Sequence, residues 1–200
     1  MILRPVARAV AVTAVVTLSS FSLSACGGGA SEGKGSAEYV TGADGIATVA
    51  RGERRAAGPM KGESLRGEPL DVADYAGDVV VVNVWGSWCP PCRAEAPYLN
   101  KVAEETKGKG VRFVGINTRD GGRTAPRAFE EDYGVSYPSF YDPAGKVILS
   151  GFPAGTVNLQ GLPATVVLDR DGKIASRVFG GIDDTKLHKM IAPLVRENPS

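Results

Sequence analysis

The chain is short of the groups that most catalytic sites use. It holds one histidine and three cysteines in 200 residues. A single imidazole excludes His-paired cysteine or serine catalysis unless His188 is the base. That residue falls beside the apolar stripe of the last expected helix, where a surface or boundary role is the simpler reading. A structural zinc needs four ligands, and beyond Cys89 and Cys92 only Cys26 and His188 remain. Charge of either sign is not in excess: 23 Lys and Arg against 22 Asp and Glu leave a net of +1. That excludes an electrostatic footprint for nucleic acid, and no block of like charges forms a tail. No apolar run reaches the roughly 20 residues of a membrane-spanning helix, and no internal repeat is present. With 43% apolar residues the chain has room for one domain plus appendages.

What the chain does have is Trp85-Gly86-Ser87-Trp88-Cys89-Pro90-Pro91-Cys92. An apolar, β-branched run from Val79 to Val84 precedes it and reads as a buried strand. Arg93 to Lys107 reads as a helix after it. Two thiols two residues apart, where a strand hands over to a helix, suit dithiol–disulfide chemistry. Cys89 falls at the helix N-terminus, where unpaired amides and the helix dipole favour a thiolate. Cys92, one turn on, can attack a mixed disulfide formed at Cys89. The bland alternative is a structural disulfide, but so small a loop stabilises little.

Residues 1–25 read as an export signal. Arg4 and Arg8 form a positive start, and Ala9 to Leu23 an apolar stretch too short for a transmembrane anchor. Leu23-Ser24-Ala25-Cys26 matches the small-residue box before a lipid-modified cysteine, so acyl chains on Cys26 are expected to hold the protein at the outer face of a membrane. Residues 26–59 read as a flexible Gly-rich tether reaching roughly 30 Å. The folded domain is expected over 60–200, starting near Met60.

Within it, Ser64–Arg66 and Glu68–Leu70 look like two short strands about Gly67. Asp71 caps a brief helical turn, and 79–85 is the central strand. Pro97 is expected to kink helix 93–107. Val111 to Asn117 is the next strand, parallel to the first because a helix joins them. A polar loop spans 118–125. A helix over 125–133, capped by Thr124, precedes a short strand at 139–141 and helical turns over 144–150. Strands 164–168 and 174–179 flank Asp169-Arg170-Asp171-Gly172, a hairpin turn signal. The last helix, 183–197, carries Leu187, Met190, Ile191, Leu194 and Val195 on one face and Pro193 within it. This order predicts an α/β fold: a mixed central sheet covered by helices on both faces.

The residues from about 60 to 196 resemble the thioredoxin fold, and more narrowly the membrane-tethered TlpA/ResA-like thiol–disulfide oxidoreductases. Trp85 and Trp88 around the Cys-Pro-Pro-Cys pair carry the resemblance, with Pro97 and Gly161-Leu162-Pro163-Ala164-Thr165. The 46 positions from Asn117 to Pro163 leave room for the central helix–strand insertion of that subfamily, and the short strand pair before Asp71 fits it too. By sequence alone Pro163 is expected trans; the resemblance implies that it is cis and brings the Leu162 backbone against the thiols. There an extended substrate could pair beside Trp88 and Pro90. Asn83 stands where thioredoxin carries a buried aspartate, and an amide cannot take a proton. Glu95, on the helical face of Cys92, matches an acidic residue near the thiols of ResA-like proteins. It is expected to accept the Cys92 proton or to tune the pKa of the pair, against the alternative of a solvated surface glutamate.

Direction follows from the prolines. Pro90 and Pro91 offer no amide to a Cys89 thiolate, so a modestly lowered thiol pKa and a reducing couple are expected, nearer the roughly −270 mV of thioredoxin than the roughly −120 mV of DsbA. A carboxylate at Glu95 would push the same way. The resemblance implies a reductase for exported proteins, notably apocytochrome c before haem attachment. It implies recharging by a DsbD/CcdA-type membrane donor, and no cofactor beyond the Cys89–Cys92 disulfide. The same fold run as a disulfide-forming oxidase stays open. A copper chaperone wants a wider cysteine spacing and a partnering histidine, and a peroxidase wants a lone cysteine in a Pro/Thr-rich turn.

Overall fold

The computed structural model describes residues 38–197. The export signal, Cys26 and the first part of the expected tether lie outside the described residues. A seven-stranded mixed sheet forms the centre, and its core strand is the valine run, β5 (Val79–Trp85), buried along its whole length. Side chains alternate across a strand, so Val79 and Val81 enter one apolar cluster while Val80, Val82 and Val84 enter the other. On one side β5 pairs in parallel with β6 (Val111–Asn117); on the other it pairs antiparallel with β8 (Ala164–Leu168). Helix α1 (Pro90–Thr106) makes the crossover between β5 and β6.

The stretch between β6 and β8 supplies α2 (Thr124–Asp132), β7 (Ser139–Tyr141) and α3 (Lys146–Gly151). Strand β7 extends the sheet in parallel beyond β6, so the expected central insertion is present. Strand β9 (Ile174–Phe179) returns antiparallel to β8 through the Asp169–Gly172 turn. Helix α4 (Asp184–Arg196) packs with α1 on the Val79/Val81 face, burying Leu187, Met190, Ile191 and Leu194. Helix α3 covers the opposite face through Val147 and Ile148.

Four expectations need correcting. The tether does not extend to residue 59. Strands β1 (Val40–Thr41) and β2 (Ala47–Thr48) continue the sheet past β9, and Ile46, Ala47 and Val49 are buried. Arg54, whose side chain is only 8% exposed, bridges Asp169 at 3.1 Å and Glu197 at 2.6 Å. A charge taken out of water needs partners, and these two come from the far end of the chain. The short strand pair is displaced: β3 (Lys61–Glu63) pairs with β4 (Pro69–Asp71). Ser64 leaves the strand because its hydroxyl accepts the amides of Arg66 and Glu68. Helix α1 starts at Pro90 and not at Arg93, since a proline in the first turn lacks only an amide with no helical partner. Thr124 does not cap α2; Arg123 occupies the cap position without a side-chain bond.

Candidate active site

The site is built at the C-terminal end of β5. Trp85 ends that strand with its indole against β6, where Gly115 makes the room: a Cβ there would lie 2.8 Å from Trp85 Nε1 and 2.3 Å from Ser139 Oγ. Gly86 then lets the chain turn under the Trp88 ring, since a Cβ on it would sit 2.8 Å from the indole. Trp88 is 42% exposed, and the Arg119 guanidinium lies over its ring at 4.6 Å. Arg119 holds a left-handed backbone at φ 61° and donates to the Leu159 carbonyl at 3.1 Å.

Ser87 is gripped by a residue the sequence reading missed. The buried Asp120 carboxylate accepts the Ser87 amide at 2.9 Å and its hydroxyl at 2.6 Å. It also accepts Asn117 Nδ2 at 2.7 Å. One carboxylate thus fixes the turn before the cysteines to the end of β6. Arg93 Nε closes the turn from the other side, donating to the Ser87 carbonyl at 3.0 Å.

Cys89 is the N-cap of α1, with φ −90° and ψ 110°. Its sulfur accepts the Cys92 amide at 3.3 Å, the usual reach from a cap side chain to the third helical position. Pro90 and Pro91 fill the first two positions and are exposed. Cys89 and Cys92 form a disulfide, S–S 2.14 Å, and are only 2% and 1% exposed. Leu65, Trp85, Ala96 and Phe129 enclose the pair, with Leu162 packed against them.

Glu95 faces inward, 2% exposed, so it is not the solvated glutamate of the alternative reading. Asn83 Nδ2 donates to its Oε1 at 2.8 Å and to Thr165 Oγ1 at 3.1 Å; the Ile182 amide donates to Oε2 at 3.0 Å. Both bonds favour the carboxylate, yet burial outweighs them and raises its pKa to about 8. Asn83, where an acid was missing, holds the acid one turn along α1.

Across the pair, the Leu162–Pro163 bond is cis, as the resemblance implied, and the Pro163 carbonyl accepts the Gly180 amide at 2.9 Å. Leu162 is half-buried beside the cysteines. Of the expected substrate-contact residues, Leu162 packs against the cluster that holds the disulfide, while Trp88 and Pro90 flank Cys89 in the chain. His188 is remote, exposed on α4 and bonded to Glu105 at 2.8 Å. Among the described residues no group of three or more His, Cys, Asp or Glu converges on a point.

The redoxin family model matches residues 56–190. The thiol-disulfide oxidoreductase ResA of Bacillus anthracis is 33% identical over 116 residues, 58% of this chain and 63% of that protein. The chain thus spans less than two thirds of that relative's length. ResA of Halalkalibacterium halodurans is 30% identical over 129 residues, 64% of this chain and 69% of the relative. The crystal structure of a DsbF homologue from Corynebacterium diphtheriae superposes with a TM-score of 0.71 at 33% identity, covering 80% of this chain and 99% of that one. With its cysteine pair at a helix start and a cis proline across from it, the chain belongs to the redoxin family of thioredoxin-fold proteins.

Proposed function

We propose that the protein is an extracytoplasmic thiol–disulfide reductase. In the reduced state the Cys89 thiolate attacks a substrate disulfide, forming a mixed disulfide and releasing one substrate thiolate. Cys92 then loses its proton and attacks Cys89 Sγ, which releases the second substrate thiolate and leaves the Cys89–Cys92 bond. Two electrons pass to the substrate. In its ionised form Glu95 can take the Cys92 proton: its pKa of about 8 lies close to that of an ordinary thiol, so a proton moves either way at little cost.

The observation that carries the direction is the single amide on Cys89 Sγ, from Cys92. A thiolate with few donors is poorly stabilised, and a poorly stabilised reduced form makes the couple more reducing. Glu95 adds no repulsion while it is protonated, so its charge does not contribute to the direction. The apolar enclosure of the pair disfavours a thiolate in the same sense.

Its substrates would be oxidised exported proteins, with the paired cysteines of apocytochrome c the foremost case, and a DsbD/CcdA-type membrane protein would recharge it. Lipid on Cys26 would hold it at the outer face of the membrane. Equilibration against glutathione or dithiothreitol buffers tests the reading. A midpoint near the roughly −270 mV of thioredoxin supports it. A midpoint near the roughly −120 mV of DsbA, with oxidative refolding of a reduced substrate, makes the protein an oxidase instead.

A further inference from the structure

The chemistry above leaves a proton inside the protein. Cys92 must lose one in each forward turnover and regain one on recharging, yet Cys92 and Glu95 are both sealed from solvent. Behind Cys92 lies a cavity of about 10 Å³ whose walls include Cys92, Asn83, Val135 and Tyr137. That is space for one water molecule, and Asn83 and Tyr137 are among the polar residues that line it. Val135 and Tyr137 also line an outer cleft of about 230 Å³, whose other walls include Ser64, Arg66, Glu130 and Ser139. These two residues are the partition between the space behind the thiol and a cleft open to the surface.

Glu130, from α2, is 7% exposed, and its Oε1 has no hydrogen-bond partner. A buried, unpaired carboxyl oxygen costs stability unless something uses it. Burial raises the Glu130 pKa against the Ser139 hydroxyl from β7, Arg66 from the β3–β4 turn and Arg127 on its own helix, which lower it. Glu131, also on α2, adds to the rise. Burial raises the pKa of Tyr137, and the two buried acids in electrostatic reach, Glu95 from α1 and Glu130 from α2, add to the rise. The phenol stays neutral, able to give one proton only while taking another. Its ring packs on Phe113 of β6 at 5.6 Å between centroids.

Resting on the reductase reading, we propose that Tyr137 and Glu130 form the proton exit of the buried redox pair. The Cys92 proton, whether direct or held first on Glu95, crosses the small cavity to the Tyr137 hydroxyl. Tyr137 passes its own proton to Glu130, which releases it into the cleft; recharging runs the same path inward. No electron moves along it, so the path sets a rate and leaves the equilibrium alone.

The test uses the full chain and the variants Tyr137→Phe, which deletes only the hydroxyl, and Glu130→Gln. Mixed-disulfide resolution is followed in a single turnover against a disulfide peptide, with and without imidazole as a small diffusible proton carrier. Each variant is expected to resolve about tenfold more slowly, with an unchanged midpoint potential and a rate restored by imidazole. Unchanged rates in both variants overturn the proposal. So does slowing that imidazole leaves in place alongside a shifted potential, which marks a packing role. If Tyr137→Phe fails to fold, Glu130→Gln decides alone. A wild-type protein that exchanges no disulfide sinks the reductase reading itself, whereas an active wild type with indifferent variants sinks only the exit.

Discussion

Glu95 makes stability depend on pH in an unusual sense. Its carboxyl ionises near 4.5 when unfolded and near 8 when folded. Between those values the folded state binds the extra proton, so stability is full below about pH 4.5, falls as pH rises, and levels off above about pH 8. At about 1.36 kcal/mol per unit the ceiling on that loss is about 5 kcal/mol. Urea titrations of the oxidised protein across this window should show the decline, and Glu95→Gln should flatten most of it, leaving a smaller slope from Glu130. Asp120 behaves in the opposite way, as an anchor. Asp120→Ala strands the Ser87 amide and Asn117 Nδ2 without an acceptor and should cost about 3 kcal/mol in chemical denaturation. The two acids differ in how far the sequence shows them. Glu95 stands out because three residues along a helix from Cys92 is the same face, although its burial is not written in its charge. Asp120 is lost in a polar loop, because nothing local marks which loop carboxylate turns inward.

At the scale of elements, the start of α1 governs the redox pair. Its cap is a sulfur, and its first two amides are missing. Pro91→Ala restores a donor at the second helical position, which should stabilise the Cys89 thiolate and make the couple more oxidising. A tenfold change in the exchange constant corresponds to about 30 mV, and redox-buffer equilibration resolves a shift of that size. The enclosure of Cys89 is an element-level matter too, since Leu162 comes from the segment leading into β8. Leu162→Ala should open the sulfur and speed its reduction by dithiothreitol severalfold in a stopped-flow assay. The long elements, β5, β6, β8, β9 and α4, are legible within a residue or so because valine runs and a 3.6-residue apolar stripe leave little choice. The short pieces are not. Ser64–Arg66 has strand-like residues, but the Ser64 hydroxyl captures two amides and moves the turn.

At the scale of the whole molecule, the N-terminal segment of the described chain is part of the fold. Glycines at 42, 45, 52 and 58 and two-residue strands give no periodicity to read, so composition points to a linker where the fold has an edge. What makes it structural is long-range: Ile46 and Val49 enter the core, and Arg54 meets Asp169 and Glu197. Arg54→Met leaves Asp169 buried without its cation and should cost about 3 kcal/mol, read as a lower urea midpoint. Removal of residues 1–59 should cost more than that, because the apolar cover is lost as well.

The same clasp has a mechanical side. A load applied at the leading end of the domain reaches β1 and β2 first, two residues each, and next the guanidinium that locks them to the trailing end. Strand β5, which leads into the cysteines, lies three strands in from β2 in the sheet order. The edge would peel and the clasp would give way while the chemistry behind them kept its shape, so the segment works as a sacrificial fuse.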